Sequence, residues 1–360
     1  MGCRLSALGG GLRRMEIMMS NLVSTGRLDL FVRRAGEEGG PPLVLVHGNV
    51  SSGEFFDSLI AELSEVRWCL TPDMRGYGGS ERKPIDAARG LRDFSDDLFA
   101  LLATLGVDGP IDLLGWSVGS GVVLQFLLDH PDRVRSLVLE APMSPFGFGG
   151  TKGLDGEPVW PDFAGSGGGT ANPEFVRRLA NGDRSDESPV SPRNVLRTFY
   201  VKPPFEFHPD AEERYLTAML QTRVGEDVYP GDVAPSENWP GVAPGSRGMN
   251  NAISPRFCDL SGIARLDRRP PILWIRGADD QIVSDTSLFD FGYLGQIGAV
   301  PDWPGAEVYP PQPMISQMRA VLDEYGEYQE ELYPDCGHSP HLEHPERFTS
   351  DVVSFLEGVK

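Results

Sequence analysis

Short apolar runs alternate with amphipathic stretches along the first 141 residues. Residues 27–34 alternate apolar and polar positions like a half-buried strand, and residues 43–46 form the continuous apolar run of a strand buried on both faces. Residues 91–105 carry apolar side chains at helical spacing and end at Gly106. The other predicted elements here are helix 54–63, a strand from residue 68 to Pro72, strand 111–114, helix 118–129 and strand 134–139. The alternation predicts an α/β fold with a doubly wound, mostly parallel sheet.

Residues 142–261 break this rhythm with clusters of glycine and proline. They predict a cap inserted into the core, made of long loops with short helices at 173–180, 193–200 and 210–223. Regular alternation then returns as strand 271–276, helix 314–325, strand 328–333 and helix 345–357, while 285–313 is predicted to be a second inserted loop. The predicted organisation is a disordered extension at 1–20, a core of 21–141 and 262–360, and the cap at 142–261.

Composition limits the partners of the chain. The 360 residues include 32 Lys and Arg against 52 Asp and Glu, a formal net charge of −20. Such a chain is repelled by nucleic-acid phosphates and anionic lipids, so we expect a small-molecule substrate, no nucleic acid and no membrane partner. The four cysteines form no CxxC pair, which favours reduced thiols and a cytoplasmic location. A homo-oligomer is left open.

The extreme N-terminus allows two interpretations. Gly2, Cys3 and Ser6 fit a lipidation pattern. The alternative is an over-extended start, because Met15, Met18 and Met19 all precede the first predicted strand.

The segment Gly115-Trp116-Ser117-Val118-Gly119, called the elbow below, has the G-x-S-x-G pattern and lies between an apolar strand and an apolar helix. A sharp turn of this kind needs small neighbours and raises the serine hydroxyl above the C-terminal edge of the sheet, where open α/β sheets place their ligands. Ser117 is therefore the candidate nucleophile.

A serine nucleophile needs a base that is held by an acid. His338 follows strand 328–333 and is the candidate base. Three carboxylates are candidates for the acid: Asp279 and Asp280 after strand 271–276, and Glu140 at the end of strand 134–139. Adjacent residues of an extended segment face opposite ways, so only one of Asp279 and Asp280 can meet the histidine.

The loop His47-Gly48-Asn49 follows strand 43–46 and lies where a serine hydrolase binds its oxyanion. The backbone N–H groups of Asn49 and Val118 are the candidate oxyanion donors, and His47 is predicted to brace the loop. Four aromatic residues of the cap, Phe146, Phe148, Trp160 and Phe163, are predicted either to line an apolar substrate pocket or to pack the cap onto the core. The candidate substrate-binding residues are Trp116, Phe146, Phe148 and Trp160.

These motifs together resemble the α/β-hydrolase superfamily. The resemblance lies at His47-Gly48, at the D-x-R-G-x-G-x-S turn of residues 72–80, at the elbow, at the acid turn 277–283, and at the Gly337-His338 segment that runs to Glu346. It implies Ser117 as nucleophile, His338 as base and Asn49 with Val118 as oxyanion hole. The spacing of the acid turn in this family selects Asp280. Neither a cofactor nor a metal is implied.

The expected activity is that of an esterase-like serine hydrolase with a large cap, cleaving a fairly apolar carboxylic ester, thioester or lactone through an acyl-enzyme. Three alternatives remain open: hydrolysis of a carbon–carbon bond, cofactor-free perhydrolysis on the same residues, and a binding protein without catalysis. His338, His341 and His344 fall within seven residues, but prolines interrupt any helix that would align them as metal ligands. His341 and His344 are predicted to be exposed.

Overall fold

The structure, a computed structural model, describes residues 19–359. Its centre is an eight-stranded sheet in the order β1-β2-β4-β3-β5-β6-β7-β8. The strands are β1 Met19–Ser24, β2 Asp29–Ala35, β3 Pro42–Val46, β4 Trp68–Pro72, β5 Ile111–Trp116, β6 Val134–Glu140, β7 Ile272–Gly277 and β8 Tyr328–Tyr333. Strand β2 runs antiparallel to β1 and β4, and every other neighbouring pair is parallel. The predicted fold class is confirmed.

Alternating side chains of the central strands enter two separate cores. In β3, Val44 and Val46 face one core, whereas Leu43 and Leu45 face the other. Both faces are buried, which explains the continuous apolar run in the sequence. Because all strands from β3 onward are parallel, their carboxyl ends meet at one edge, and the loops that carry the candidate residues start there.

Helices cover both faces of the sheet. One core contains apolar side chains of α2, α3 and α9, and the other contains those of α1 and α11. The helices are α1 Asp57–Leu63, α2 Arg92–Thr104, α3 Val118–Asp129, α4 Pro173–Ala180, α5 Pro192–Val195, α6 Pro209–Leu220, α7 Met249–Ala252, α8 Phe291–Gln296, α9 Met314–Tyr325, α10 Pro340–Glu343 and α11 Pro345–Gly358. Within residues 19–359, no helix is long and apolar enough to cross a membrane.

The chain between β6 and β7 contains short elements joined by long loops. Besides α4 to α7 it holds a π-helical turn at Leu196–Tyr200 and three small two-stranded sheets. The paired strands of those sheets are Thr151–Lys152 with Glu157–Pro158, Val224–Gly225 with Tyr229–Pro230, and Val233–Pro235 with Val242–Pro244.

Two predictions of local structure are wrong. Met19 and Ser20, assigned to the extension, begin strand β1, which pairs with β2. This edge strand exposes five of its six residues and so lacks the apolar pattern of the inner strands. The second insertion, predicted as loop, contains helix α8, which Asp290 caps by accepting the N–H of Tyr293 at 3.1 Å. The remaining extension and the lipidation pattern lie outside the described residues.

Candidate active site

Ser117 occupies a sharp turn between β5 and α3. Its backbone has φ 58° and ψ −120°, a left-handed conformation that side chains rarely adopt and that marks stored strain. The turn closes only because its neighbours are small. A Cβ on Gly119 would lie 2.1 Å from the carbonyl oxygen of Val46, and one on Gly115 would lie 2.5 Å from that of Gly119. The strand-to-helix context predicted for the serine is present.

His338 is paired with Asp280. The histidine Nδ1 lies 2.8 Å from Asp280 Oδ2, and both side chains are almost wholly buried. The other carboxylate oxygen, Oδ1, accepts the backbone N–H groups of Ile282 and Val283 at 2.8 and 3.0 Å. A carboxylate at Nδ1 fixes the proton on that nitrogen and leaves the Nε2 lone pair available to accept another proton. Ser117 and His338 line the same cavity, although no hydrogen bond joins their side chains.

The other two candidate acids are engaged elsewhere. Asp279 accepts a hydrogen bond from the ammonium of Lys202 at 2.8 Å and is largely exposed. Glu140 Oε1 lies 2.7 Å from Nδ1 of His341, and both side chains are buried.

The prediction that His341 is exposed is therefore wrong. Strand β6 carries Glu140 under the first turn of α10, and His341 packs against it from that turn. His338 and His341 bind different carboxylates. Among residues 19–359, no group of three or more histidine, cysteine or carboxylate side chains is arranged to hold a metal ion.

The loop His47-Gly48-Asn49, the candidate oxyanion loop, is held by hydrogen bonds from several neighbouring residues. Asn49 Oδ1 accepts the N–H of Val50 at 3.0 Å and the hydroxyl of Tyr77 at 2.7 Å. The hydroxyl of Tyr200, from the cap, donates to the carbonyl of Asn49 at 2.9 Å. Burial raises the pKa of both tyrosines, so they remain donors. Val118 begins α3, where an N–H group has no acceptor within its own helix.

His47 braces this loop, as predicted. Its Nδ1 lies 2.8 Å from the carbonyl of Gly48, and its Nε2 accepts the N–H of Met74 at 2.9 Å. Burial lowers the pKa of His47 to about 4, so the ring stays neutral with its proton on Nδ1. The imidazole thereby ties the oxyanion loop to the turn after β4.

A cavity of about 560 Å³ opens above Ser117 and His338. Its walls come from both insertions and are mainly apolar, and none of the described residues that line it is Lys, Arg, Asp or Glu. The apolar and aromatic lining includes Val50, Met143, Phe148, Phe175, Val190, Val195, Phe199, Tyr200, Tyr229, Ile253, Ile282, Val283, Leu288, Phe289, Phe291, Leu294 and Val300.

Two of the four predicted substrate-binding aromatics do not line this cavity. Trp116 and Phe148 do, but Phe146 and Trp160 face elsewhere. The ring of Phe146 packs so closely on Gly156 that a Cβ there would lie 2.2 Å from it. Trp160 packs within the cap and donates its indole N–H to the carbonyl of Trp239 at 2.9 Å. Phe146 packs against one of the two cores, as the packing alternative expected, whereas Trp160 is held within the cap.

The segment from Ile282 to Val300 is the part of the cavity that the sequence analysis missed. It supplies one wall, and a carboxylate anchors it. Asp290 Oδ2 accepts the N–H groups of Tyr293 and Gln312, each at 3.1 Å. Burial raises the pKa of Asp290 from 3.8 to about 6.

This carboxyl makes stability depend on pH. The folded chain holds the Asp290 proton more tightly than the unfolded chain, so the free energy of unfolding falls as the pH rises from 3.8 to about 6. Asp290→Asn keeps an acceptor oxygen but cannot ionise. Between pH 4 and pH 7 we expect the free energy of unfolding of the variant to rise by about 2 kcal/mol relative to that of the wild type. Urea unfolding of both proteins at pH 4 and pH 7 checks this. The same difference in the free energy of unfolding between variant and wild type at both pH values would contradict it.

The chain belongs to the α/β hydrolase family. A family profile described as alpha/beta hydrolase fold matches residues 41–292, a range that includes Ser117 and Asp280 and ends before His338. A crystal structure of an esterase from Rhodococcus sp. ECU1013 superposes with a TM-score of 0.59 at 20% identity, covering 95% of this chain and 99% of that one. An esterase from Thermogutta terrifontis gives a TM-score of 0.57 at 20% identity, covering 95% and 99%. These likenesses show the fold.

Curated relatives match over shorter stretches. A 2-hydroxymuconate semialdehyde hydrolase from Pseudomonas sp. (strain CF600) is 37% identical over 131 residues, 35% of this chain and 44% of that protein. A pimeloyl-[acyl-carrier protein] methyl ester esterase from Chromobacterium violaceum is 32% identical over 120 residues, 33% of this chain and 43% of that protein. The matched stretch thus spans less than half the length of either relative.

Proposed function

We propose that this protein is a serine hydrolase that cleaves an uncharged, largely apolar carboxylic ester. The observation that carries the proposal is the cavity itself: Ser117 and the Asp280-paired His338 lie together in a space whose described lining holds no formally charged residue. The same chemistry extends to a thioester or a lactone. The esterases among its structural neighbours and curated relatives agree with this assignment.

The proposed reaction uses these groups in turn. Ser117 Oγ attacks the acyl carbonyl while Nε2 of His338 takes its proton, and Asp280 stabilises the resulting imidazolium. The N–H groups of Asn49 and Val118 receive the oxyanion. His338 then gives its proton to the departing alcohol, leaving an acyl-enzyme, and water repeats the cycle to release the acid. Residues of the chain suffice for each step.

Asn250 gives the cavity one oriented polar contact. The N–H of Val50 can only donate, so the oxygen of the Asn49 amide must face it, and the Asn49 nitrogen then donates to Oδ1 of Asn250 at 3.1 Å. This leaves the amide nitrogen of Asn250 as a donor at the cavity wall. We infer that the substrate carries a neutral acceptor, such as an ether, ketone or second ester oxygen, opposite Asn250.

Two 4-nitrophenyl esters of equal chain length test the substrate class: the hexanoate and the adipate monoester, which ends in a carboxylate. Burying an unpaired carboxylate costs several kcal/mol. We therefore expect kcat/KM for the hexanoate to exceed that for the adipate by roughly 100-fold or more. If the protein hydrolysed neither ester, the proposed function would be contradicted. Equal kcat/KM values for the two esters would contradict the proposed apolar class of substrate.

A pair of variants on α8 tests whether the cavity wall causes the preference for the uncharged ester. Leu294→Arg places a cation in the wall and should reduce the preference for the hexanoate at least roughly tenfold. Gln296→Arg adds the same charge to an exposed position of that helix and should leave the ratio unchanged. Identical ratios in both variants would show that this wall does not select the substrate.

Carbon–carbon bond hydrolysis is less well supported. A carboxylate-bearing diketone would need a cationic partner in the cavity, and the described lining offers none.

A further inference from the structure

A second carboxylate–imidazole pair, Glu140 and His341, lies outside the cavity and next to the segments that carry Ser117 and His338. Glu140 Oε1 accepts both the Nδ1–H and the backbone N–H of His341, at 2.7 and 2.9 Å. The two side chains are 0% and 1% exposed. Among the described residues no partner reaches the other polar atom of either side chain, Glu140 Oε2 or His341 Nε2. Neither residue lines the cavity, so neither touches the substrate.

Such a pair is poorly explained by stability alone. Burying a carboxylate and an imidazole with one polar atom each left unpartnered is costly, and apolar residues of similar size often serve a core as well or better. A role in holding a particular geometry is the better explanation.

Glu140 contacts both Ser117 and the segment that carries His338. Its backbone carbonyl accepts the N–H of Ser117 at 2.8 Å, while its carboxylate holds His341, three residues after His338. Trp116 adds a parallel link, since its indole N–H donates to the carbonyl of His338 at 2.9 Å and its ring meets the His341 ring edge-on at 5.2 Å. The end of β5, the end of β6 and the segment from Gly337 to His341, here called the histidine loop, are thus fixed to one another.

We propose that Glu140 and His341 are positioning residues that set the distance of the His338 imidazole from the Ser117 hydroxyl. This inference rests on the proposed function of Ser117 and His338. The side chains of Ser117 and His338 are not hydrogen-bonded to each other in this structure, so that bond must form in the substrate complex. A misplacement of about 1 Å there can cost on the order of 100-fold in rate.

Two nearly isosteric substitutions separate positioning from packing. His341→Asn keeps an N–H donor where Nδ1 lies, whereas His341→Leu removes it at similar volume. For 4-nitrophenyl hexanoate we expect His341→Leu to lower kcat roughly 100-fold with KM changed less than about threefold. His341→Asn should recover most of that loss. The rate of Ser117 phosphonylation by an organophosphonate should fall and recover in the same way.

Three results would overturn the proposal: wild-type kcat in His341→Leu, equal losses in the Leu and Asn variants, or a change confined to KM. If His341→Leu fails to fold, the Glu140→Gln variant tests the positioning role instead. It keeps an acceptor oxygen but loses the charge that strengthens the bonds, so kcat should fall roughly tenfold at unchanged KM, and a wild-type kcat would refute positioning. A wild-type protein that neither reacts with the phosphonate nor hydrolyses any ester would instead refute the proposed function, and positioning with it.

Discussion

Ser117→Ala is expected to lower kcat by roughly 10⁴-fold or more while the protein stays folded. The hydroxyl is the only group that the substitution removes, and alanine meets the same backbone strain at φ 58° as serine does. The side chain is half-buried at a turn and contributes little packing. Ester turnover and thermal unfolding, measured side by side, check both halves of this expectation.

Covalent labelling tests directly whether Ser117 is the nucleophile. An organophosphonate should modify the wild-type protein once, on Ser117, and should not modify Ser117→Ala. Thr170→Val is the matched control, because it removes another hydroxyl from the cavity wall and should still be labelled at Ser117. Labelling that persists in Ser117→Ala would show that the nucleophile is a different residue.

Periodicity predicted several elements well, because the inner strands of the sheet are buried on both faces and helices such as Met314–Tyr325 bury one side only. Helices 118–129, 173–180 and 314–325 and strand 328–333 were predicted with the bounds that the structure shows. The elbow could be predicted because it depends on residues that are neighbours along the chain, whereas the chain order of the candidate residues is read directly from the sequence.

The errors concern features that the local sequence pattern does not encode. His341 was judged without Glu140, its partner 201 residues away. Phe146 and Trp160 were assigned to the pocket by residue type, although the face that a loop presents is decided by its packing. The wall from Ile282 to Val300 was missed because most of it is loop, and its helix, α8, has only six residues.

The acid was the candidate that sequence reasoning from the residues alone left open. Asp279 and Asp280 are adjacent, and only their surroundings distinguish them. Lys202, from the cap, holds Asp279 at the surface, whereas the turn directs Asp280 inward to His338. A residue of the cap thus helps to separate two neighbours in the core, and that information is not in the acid turn itself.

Asp280→Asn is expected to lower kcat roughly 10⁴-fold without unfolding the protein. Oδ1 of Asp280 accepts two backbone N–H groups, so the oxygen of the new amide must keep that position and its NH₂ must face Nδ1 of His338. The imidazole then has to accept at Nδ1 and carry its proton on Nε2. In that tautomer it cannot take the proton of Ser117.

The two other carboxylates are the controls for this prediction. Asp279→Asn loses only an exposed contact with Lys202 and should keep kcat within a few-fold of the wild type. Glu140→Gln should lose far less than Asp280→Asn, because Glu140 contacts His341 and not His338. If Asp280→Asn retained nearly normal kcat while Glu140→Gln lost most of it, the histidine loop would have to rearrange in the working enzyme so that β6 supplied the acid. The 2.8 Å contact between Asp280 and His338 argues that it does not.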